Sequence, residues 1–140
     1  MYCDFHGHTR AKNLFIFGCH NDYDPSNVMK ERIFPLLYHE RCDSFHFDSC
    51  KFDVADSKGT TGRVTMRQKF NILNSYTLEC SVCGPTDGKQ EGMHFTIDSL
   101  KEMGRAFGLS LYDFSSSDDK KNKCVIELRE MYPTIESLLK

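Results

Sequence analysis

Apolar residues fall in short clusters along the chain, and the spacing within each cluster assigns an element. Tyr2-Cys3-Asp4-Phe5 reads as a short buried strand that runs straight into His6-Gly7-His8. Asn13 to Phe17 is an apolar run closing at Gly18, with the length and flanking glycine of a buried strand. Cys19 to Asn27 is rich in Asn, Asp and Pro and reads as a loop. From Val28 to Arg41 the spacing turns helical at Ile33, Leu36 and Leu37. Ser26 is the candidate N-cap there, and Pro35 predicts a kink or the real helix start. Phe45, Phe47 and Cys50 alternate with polar residues, and Phe52 and Val54 repeat the pattern after a shift of register. That predicts strands with a bulge or turn between them.

Ser57 to Gly62 reads as a flexible loop leading into Arg63-Val64-Thr65-Met66, and Ile72 to Leu78 as a strand ending at Glu79. Cys83 to Gly92 is a Gly/Pro/Asp loop. Thr96 is the N-cap of a helix whose apolar residues, Ile97, Leu100, Met103, Phe107, Leu111 and Phe114, recur every three or four positions and predict a core-facing stripe. Ser115 to Asn122 reads as a polar linker, followed by a short peripheral helix through Val125, Leu128 and Met131 that stops at Pro133. Strands, loops and helices mixed along the chain give an α/β class. The division expected is one α/β unit over 1–114 and a polar linker with a short peripheral helix over 115–140. In open α/β sheets, sites gather at the carboxyl ends of strands, where both His6 and Glu79 are expected.

Composition narrows the function classes. The chain has 140 residues, 39% hydrophobic and 27% charged, enough for one domain with a real core. A net charge of -2 argues against a nucleic-acid binder, which shows a basic patch. The lysines at 120, 121 and 123 follow Asp118 and Asp119 and read as a solvated mixed-charge face. No stretch reaches the ~20 apolar residues of a membrane helix, and the start is no signal peptide. Seven cysteines without an export signal read as reduced cytosolic thiols, so a cytoplasmic protein is expected. A chain that opens in mid-strand is expected to have sheet partners upstream, which predicts a fragment.

Four places carry candidate chemistry. His6 and His8 point the same way on an extended segment, which gives either a bidentate metal site or an incidental pair. Cys80 and Cys83 form one Cys-x-x-Cys, a weak signal for zinc or redox chemistry beside the plain reading of two free thiols. Glu79, closing an apolar strand, is a solvated strand end or a carboxylate in a cleft. Arg63 is a surface cation or a guanidinium aimed at an anionic substrate.

Taken together and in order, these segments resemble the cytosolic carboxypeptidase (tubulin deglutamylase) family of the zinc carboxypeptidase superfamily. Tyr2-Cys3-Asp4-Phe5-His6-Gly7-His8-Thr9-Arg10 is similar to its Tyr-Cys-Asp-Leu-His-Gly-His-Ser-Arg segment. Lys58 to Val64 is similar to Lys-Glu-Gly-Thr-Gly-Arg-Val, and Asn74 to Glu79 to Asn-Ser-Tyr-Thr-Leu/Met-Glu. The resemblance implies the C-terminal part of a zinc-carboxypeptidase-like mixed sheet flanked by helices. It further implies His6 as a zinc ligand, Glu79 as general base, and Arg63 at the base of a pocket for a terminal glutamate, with His8 lining the cleft. Its implied partners are the acidic C-terminal tails of tubulin or other glutamylated proteins. The family's His-x-x-Glu zinc pair has no counterpart in the chain, so the chain alone is expected to be inactive. The sequence also departs from the family by one extra residue between Met66 and Ile72, which a bulge would accommodate. Two alternatives stand beside this reading: a catalytically dead module that binds acidic tails through Arg63, and a small zinc-binding protein using His6, His8, Cys80 and Cys83.

Overall fold

Among the described residues, three runs pair into one sheet, and four helices form around it. The computed structural model describes residues 1–21, 25–55 and 58–133. Strand β1 is Tyr2–His8, β2 is Leu14–Phe17 and β3 is Ser75–Ser81. Their order is β1-β3-β2, with β1 parallel and β2 antiparallel to the central β3. The helices are α1 (Lys30–His39), α2 (Gly62–Phe70), α3 (Ile97–Ser116) and α4 (Asp118–Met131). The mixed sheet with flanking helices matches the α/β class expected from sequence.

Period-two alternation divides the sheet into two faces. One face carries Leu14, Ile16, Tyr76 and Leu78 into a core shared with Ile33, Phe34, Leu37 and Tyr38 of α1, Met103 of α3, and Cys124 and Leu128 of α4. The other face carries Asp4, His6 and His8 on β1, Ser75, Thr77, Glu79 and Ser81 on β3, and Phe15 and Phe17 on β2.

Several elements differ from the sequence expectation, each for a physical reason. β1 is longer than Tyr2–Phe5 and only half-buried, with Phe5 exposed, because it is an edge strand among the described residues. β3 runs on to Ser81, so Glu79 lies inside a strand. Residues 45–54 form no strand. They run beside β2 through single bridges at Phe45 and Lys51, with the 3-10 turn Phe47–Ser49 between. Met29 in the left-handed region, and not Ser26, precedes α1.

Pro35 sits inside α1 without ending it. A proline removes the N–H that would bond the carbonyl four residues back. That carbonyl belongs to Glu31, and it accepts the buried Tyr76 hydroxyl at 2.7 Å instead. The extra residue after Met66 makes no bulge. Residues 67–70 form the last turn of α2, closed by Asn71 with φ of 51°. Ser57 of the expected loop lies outside the described residues.

α3 begins at Thr96, as the sequence predicts, with a capping box to Ser99. Its buried residues are Met103, Ala106, Ser110 and Asp113, while Ile97, Leu100 and Leu111 of the expected stripe are exposed. The expected linker is the end of α3, the cap Ser117 and the start of α4. Nor is the last helix peripheral, since Cys124 and Leu128 are fully buried against the core.

Asp113 ties these helices together, accepting hydrogen bonds from Arg41 after α1 and from Lys120 Nζ at 2.7 Å. The Lys120 hydrogen bond, followed by that of Arg41, holds its carboxyl below the usual carboxylate range. A carboxyl lowered in the folded state stabilises the fold above its unfolded value near 3.8 and stops doing so as pH falls through the folded value. Urea melts across that acid window are expected to show stability falling in the native chain, with a shallower fall in Asp113→Asn.

Candidate active site

The polar face of the sheet concentrates the site. Parallel pairing of β1 with β3 puts His6 directly beside Glu79, and antiparallel pairing with β2 puts Phe15 on the other flank of the same glutamate. His6 Nδ1 lies 3.9 Å from Glu79 Oε1, and His6 Nε2 lies 3.0 Å from Asp4 Oδ2. The His6 ring is half-exposed whereas the Glu79 side chain is 11% exposed, so the carboxylate sits at the foot of a wall that the imidazole caps.

Aromatic rings form that wall. His8 meets Phe15 edge-on at 5.2 Å, and Phe15 meets Phe17 at 5.3 Å. His8 Nδ1 accepts the backbone N–H groups of Arg10 and Ala11 at 3.1 and 2.9 Å, closing the turn after β1. An Nδ1 that accepts leaves the proton on Nε2, so His8 presents one N–H donor.

Arg63 occupies the first turn of α2, whose start follows the cap residue Thr61. The side chain is buried, donating from Nε to the Gly18 carbonyl at 3.2 Å and from Nη1 to Thr61 Oγ1 at 3.5 Å. Its guanidinium lies 5.7 Å from the centre of the Phe17 ring, and Phe17 shares the polar face of the sheet with Glu79. Among the described residues Nη2 makes no hydrogen bond, which leaves a buried cation with unused donors. Gly18 itself packs against Phe52, whose ring a Cβ at that position would meet at 2.6 Å.

A zinc ion needs at least three protein ligands. Among the described residues no three His, Cys, Asp or Glu groups converge to hold a metal. His6 offers one imidazole, so these residues do not complete a zinc site.

The four residues of the small zinc-protein reading are not brought together either. Cys80 pairs in register with Gly7, on the sheet face opposite His6 and His8. Burial raises its thiol, and Cys83 is exposed in the following loop. All seven cysteines are free.

Sequence reasoning missed two contributors. Asp4 stands two residues before His6 on the same strand face, a position the alternation used for His8 could have flagged. From spacing Phe15 is only part of a buried strand, and its place beside Glu79 depends on a strand pairing that spacing does not reveal.

No protein-family model matches the chain. It is 43% identical over 133 residues to Cytosolic carboxypeptidase 2 of Mus musculus, covering 94% of this chain and 15% of that protein. It is 43% identical over 134 residues to Cytosolic carboxypeptidase 3 of Bos taurus, covering 94% of this chain and 13% of that one. The chain thus spans less than a fifth of the length of these relatives. A metallo-carboxypeptidase from Burkholderia cenocepacia shares the fold, with a TM-score of 0.69 at 16% identity, over 84% of this chain and 30% of the other.

Proposed function

From the premise that this chain belongs to the cytosolic carboxypeptidase family, we propose that it forms the base-bearing side of a metallocarboxypeptidase site that removes C-terminal glutamates from acidic tails. The observation that carries the reading is the register pairing of His6 with Glu79, an imidazole nitrogen 3.9 Å from a nearly buried carboxylate. Glu79 Oε1 takes a proton from the attacking water and later gives it to the leaving amine, work that needs a positioned base shielded from bulk solvent. His6 contributes one imidazole toward zinc, with the remaining ligands supplied from outside the described residues.

Arg63 sets the preference for glutamate. A buried guanidinium with unused donors favours a carboxylate partner, because a desolvated carboxylate needs a charge-assisted and preferably bidentate hydrogen bond. The proposed partners are the glutamate-rich tails of tubulin or of other glutamylated proteins, met in the cytoplasm. No described helix is long and apolar enough to cross a membrane. The described residues lack a complete metal site, and the chain by itself is proposed to be inactive.

The test compares peptides ending in Glu with peptides ending in Ala, using a protein in which this segment is joined to the remaining metal ligands. Arg63→Ala is expected to lower kcat/KM for the Glu-ended peptide roughly 100-fold, the cost of removing one partner of a desolvated charge pair. The Ala-ended peptide is expected to change little. An unaltered ratio between the two peptides would sink the role of Arg63. Tail binding without cleavage would point to an acidic-tail module instead.

A further inference from the structure

Two guanidiniums, Arg63 and Arg67, stand one turn apart on α2 and therefore share a helix face. Both reach the segment from Gly18 to Asn21 that follows β2. Arg63 donates from Nε to the Gly18 carbonyl at 3.2 Å. Arg67 donates from Nε to Asn21 Oδ1 at 3.0 Å, and from Nη1 to Oδ1 of Asn71, the residue that closes α2, at 2.7 Å. Burial raises the Cys19 thiol of the same segment, and both guanidiniums oppose that rise.

Asn21 has no exposed surface. Its amide nitrogen donates to Oε2 of Glu31 on α1 at 3.0 Å, and Glu31 is 1% exposed. The other oxygen of Glu31 accepts Arg32 Nε at 3.2 Å. A guanidinium only donates and an ionised carboxylate only accepts, so one orientation of the amide serves both of its partners. One buried side chain thus joins α1, α2 and the segment that holds Arg63. Buried polar networks of this kind are costly when partly broken, which narrows where each member can sit.

The backbone does not supply the same constraint. Gly18 N–H donates to the Lys51 carbonyl at 2.8 Å and His20 N–H to the Phe52 carbonyl at 2.9 Å, which fixes the path of the segment along residues 51 and 52. Ser75 Oγ donates to the Arg63 carbonyl at 2.7 Å, which fixes the backbone of Arg63 and not its side chain. The spacing between the segment and α2 is set by the two arginine contacts, and the Arg67 contact ends on Asn21.

We propose that Asn21 is a positioning residue for Arg63: by tying Arg67 to Glu31 it fixes the Gly18 carbonyl against α2 and so holds the Arg63 guanidinium in place for a terminal carboxylate. The proposal rests on the role given above to Arg63 and adds a residue that role does not name. Asn21 touches no substrate.

The first measurement is hydrogen exchange of the Arg63 Nε–H in the isotope-labelled chain, followed by proton–nitrogen correlation. Native Arg63 is expected to be protected, and Asn21→Ala is expected to exchange roughly tenfold faster at that proton. Should Asn21→Ala not fold, Arg67→Met cuts the same tie from its half-buried end and is expected to give the same result. Asn21→Asp alone sets two carboxylates against each other and is expected to lose protection. Asn21→Asp combined with Glu31→Gln reverses donor and acceptor at nearly constant shape and charge, and is expected to restore it. Equal protection in the native chain and in the variants that cut the tie, or no rescue by the double variant, would overturn the proposal.

The second measurement uses the protein in which this segment is joined to the remaining metal ligands. Asn21→Ala, or Arg67→Met in its place, is expected to lower kcat/KM for a Glu-ended peptide roughly tenfold, through KM, and to leave an Ala-ended peptide little changed. In an Arg63→Ala background the same substitution is expected to change neither peptide further. Equal losses on both peptides would mark Asn21 as merely structural and overturn the proposal. Lost protection of the Arg63 proton with an unmoved peptide ratio would support Asn21 as the residue that places Arg63 and take down only the glutamate reading.

Discussion

Phe34→Ala is expected to lower the stability of the fold by about 3–5 kcal/mol, the usual range for truncating a buried phenylalanine. Phe34 has no exposed surface and stands where three elements meet. Its ring stacks on Tyr38 of α1 at 6.2 Å and on Tyr76 of β3 at 5.8 Å. It meets Phe107 and Phe114 of α3 edge-on at 5.2 and 6.0 Å. Alanine would remove four ring contacts at once and leave a cavity that helix and sheet could not both close. Domains of this kind have about 5–15 kcal/mol in total, so the loss is a large fraction of the whole. Urea denaturation should show the midpoint falling far more than in Phe70→Ala, whose ring is 65% exposed at the end of α2. Equal midpoints for the two variants would mean that Phe34 does not hold sheet to helices.

The same cluster shows why part of the fold was legible in the sequence. Apolar runs at Leu14–Phe17 and Tyr76–Leu78 leave few alternatives to buried strands, and both form them. The 45–54 segment also alternates, yet its backbone bridges β2 at only two residues and is turned aside at Phe47–Ser49. Alternation records which side chains are buried, and there Phe45, Phe47 and Phe52 are buried without a ladder.

α3 misled for the converse reason. Its apolar residues mark one stripe, but the packed stripe includes Ser110 and Asp113. Ser110 Oγ donates to the Ala106 carbonyl at 2.8 Å, with the Leu37 carbonyl 3.3 Å away, while Asp113 meets Arg41 and Lys120. Polar residues satisfied in this way are tolerated inside, and a hydrophobicity pattern takes them for surface.

The site divides along the same line. Residue types and order were enough to single out His6, His8, Arg63 and Glu79 as a resemblance. Their geometry was not available, because a parallel register between segments 73 positions apart is set by tertiary pairing. Arg63 shows the difference well. Read as the residue after a flexible loop, it is fixed in the first turn of a helix by the Gly18 carbonyl.

Glu79→Gln is the substitution expected to cost the most in function. The amide matches the carboxylate in shape, so the place between His6 and Phe15 is kept and the melting temperature should hardly move. What it loses is basicity. If Glu79 moves the proton of the attacking water, hydrolysis of a Glu-ended peptide by the protein with its full set of metal ligands should fall by about 10²–10⁴, the usual contribution of a positioned acid–base group. KM should stay near its native value, since the amide removes no contact to the terminal carboxylate and leaves Arg63 untouched. That split separates Glu79 from Arg63, whose loss should act on the choice between Glu-ended and neutral peptides. A Glu79→Gln protein that keeps more than about a tenth of native kcat would remove the glutamate from the base role. The water would then have to be activated from another part of the site, and the pairing of His6 with Glu79 would be reduced to packing at the end of a sheet.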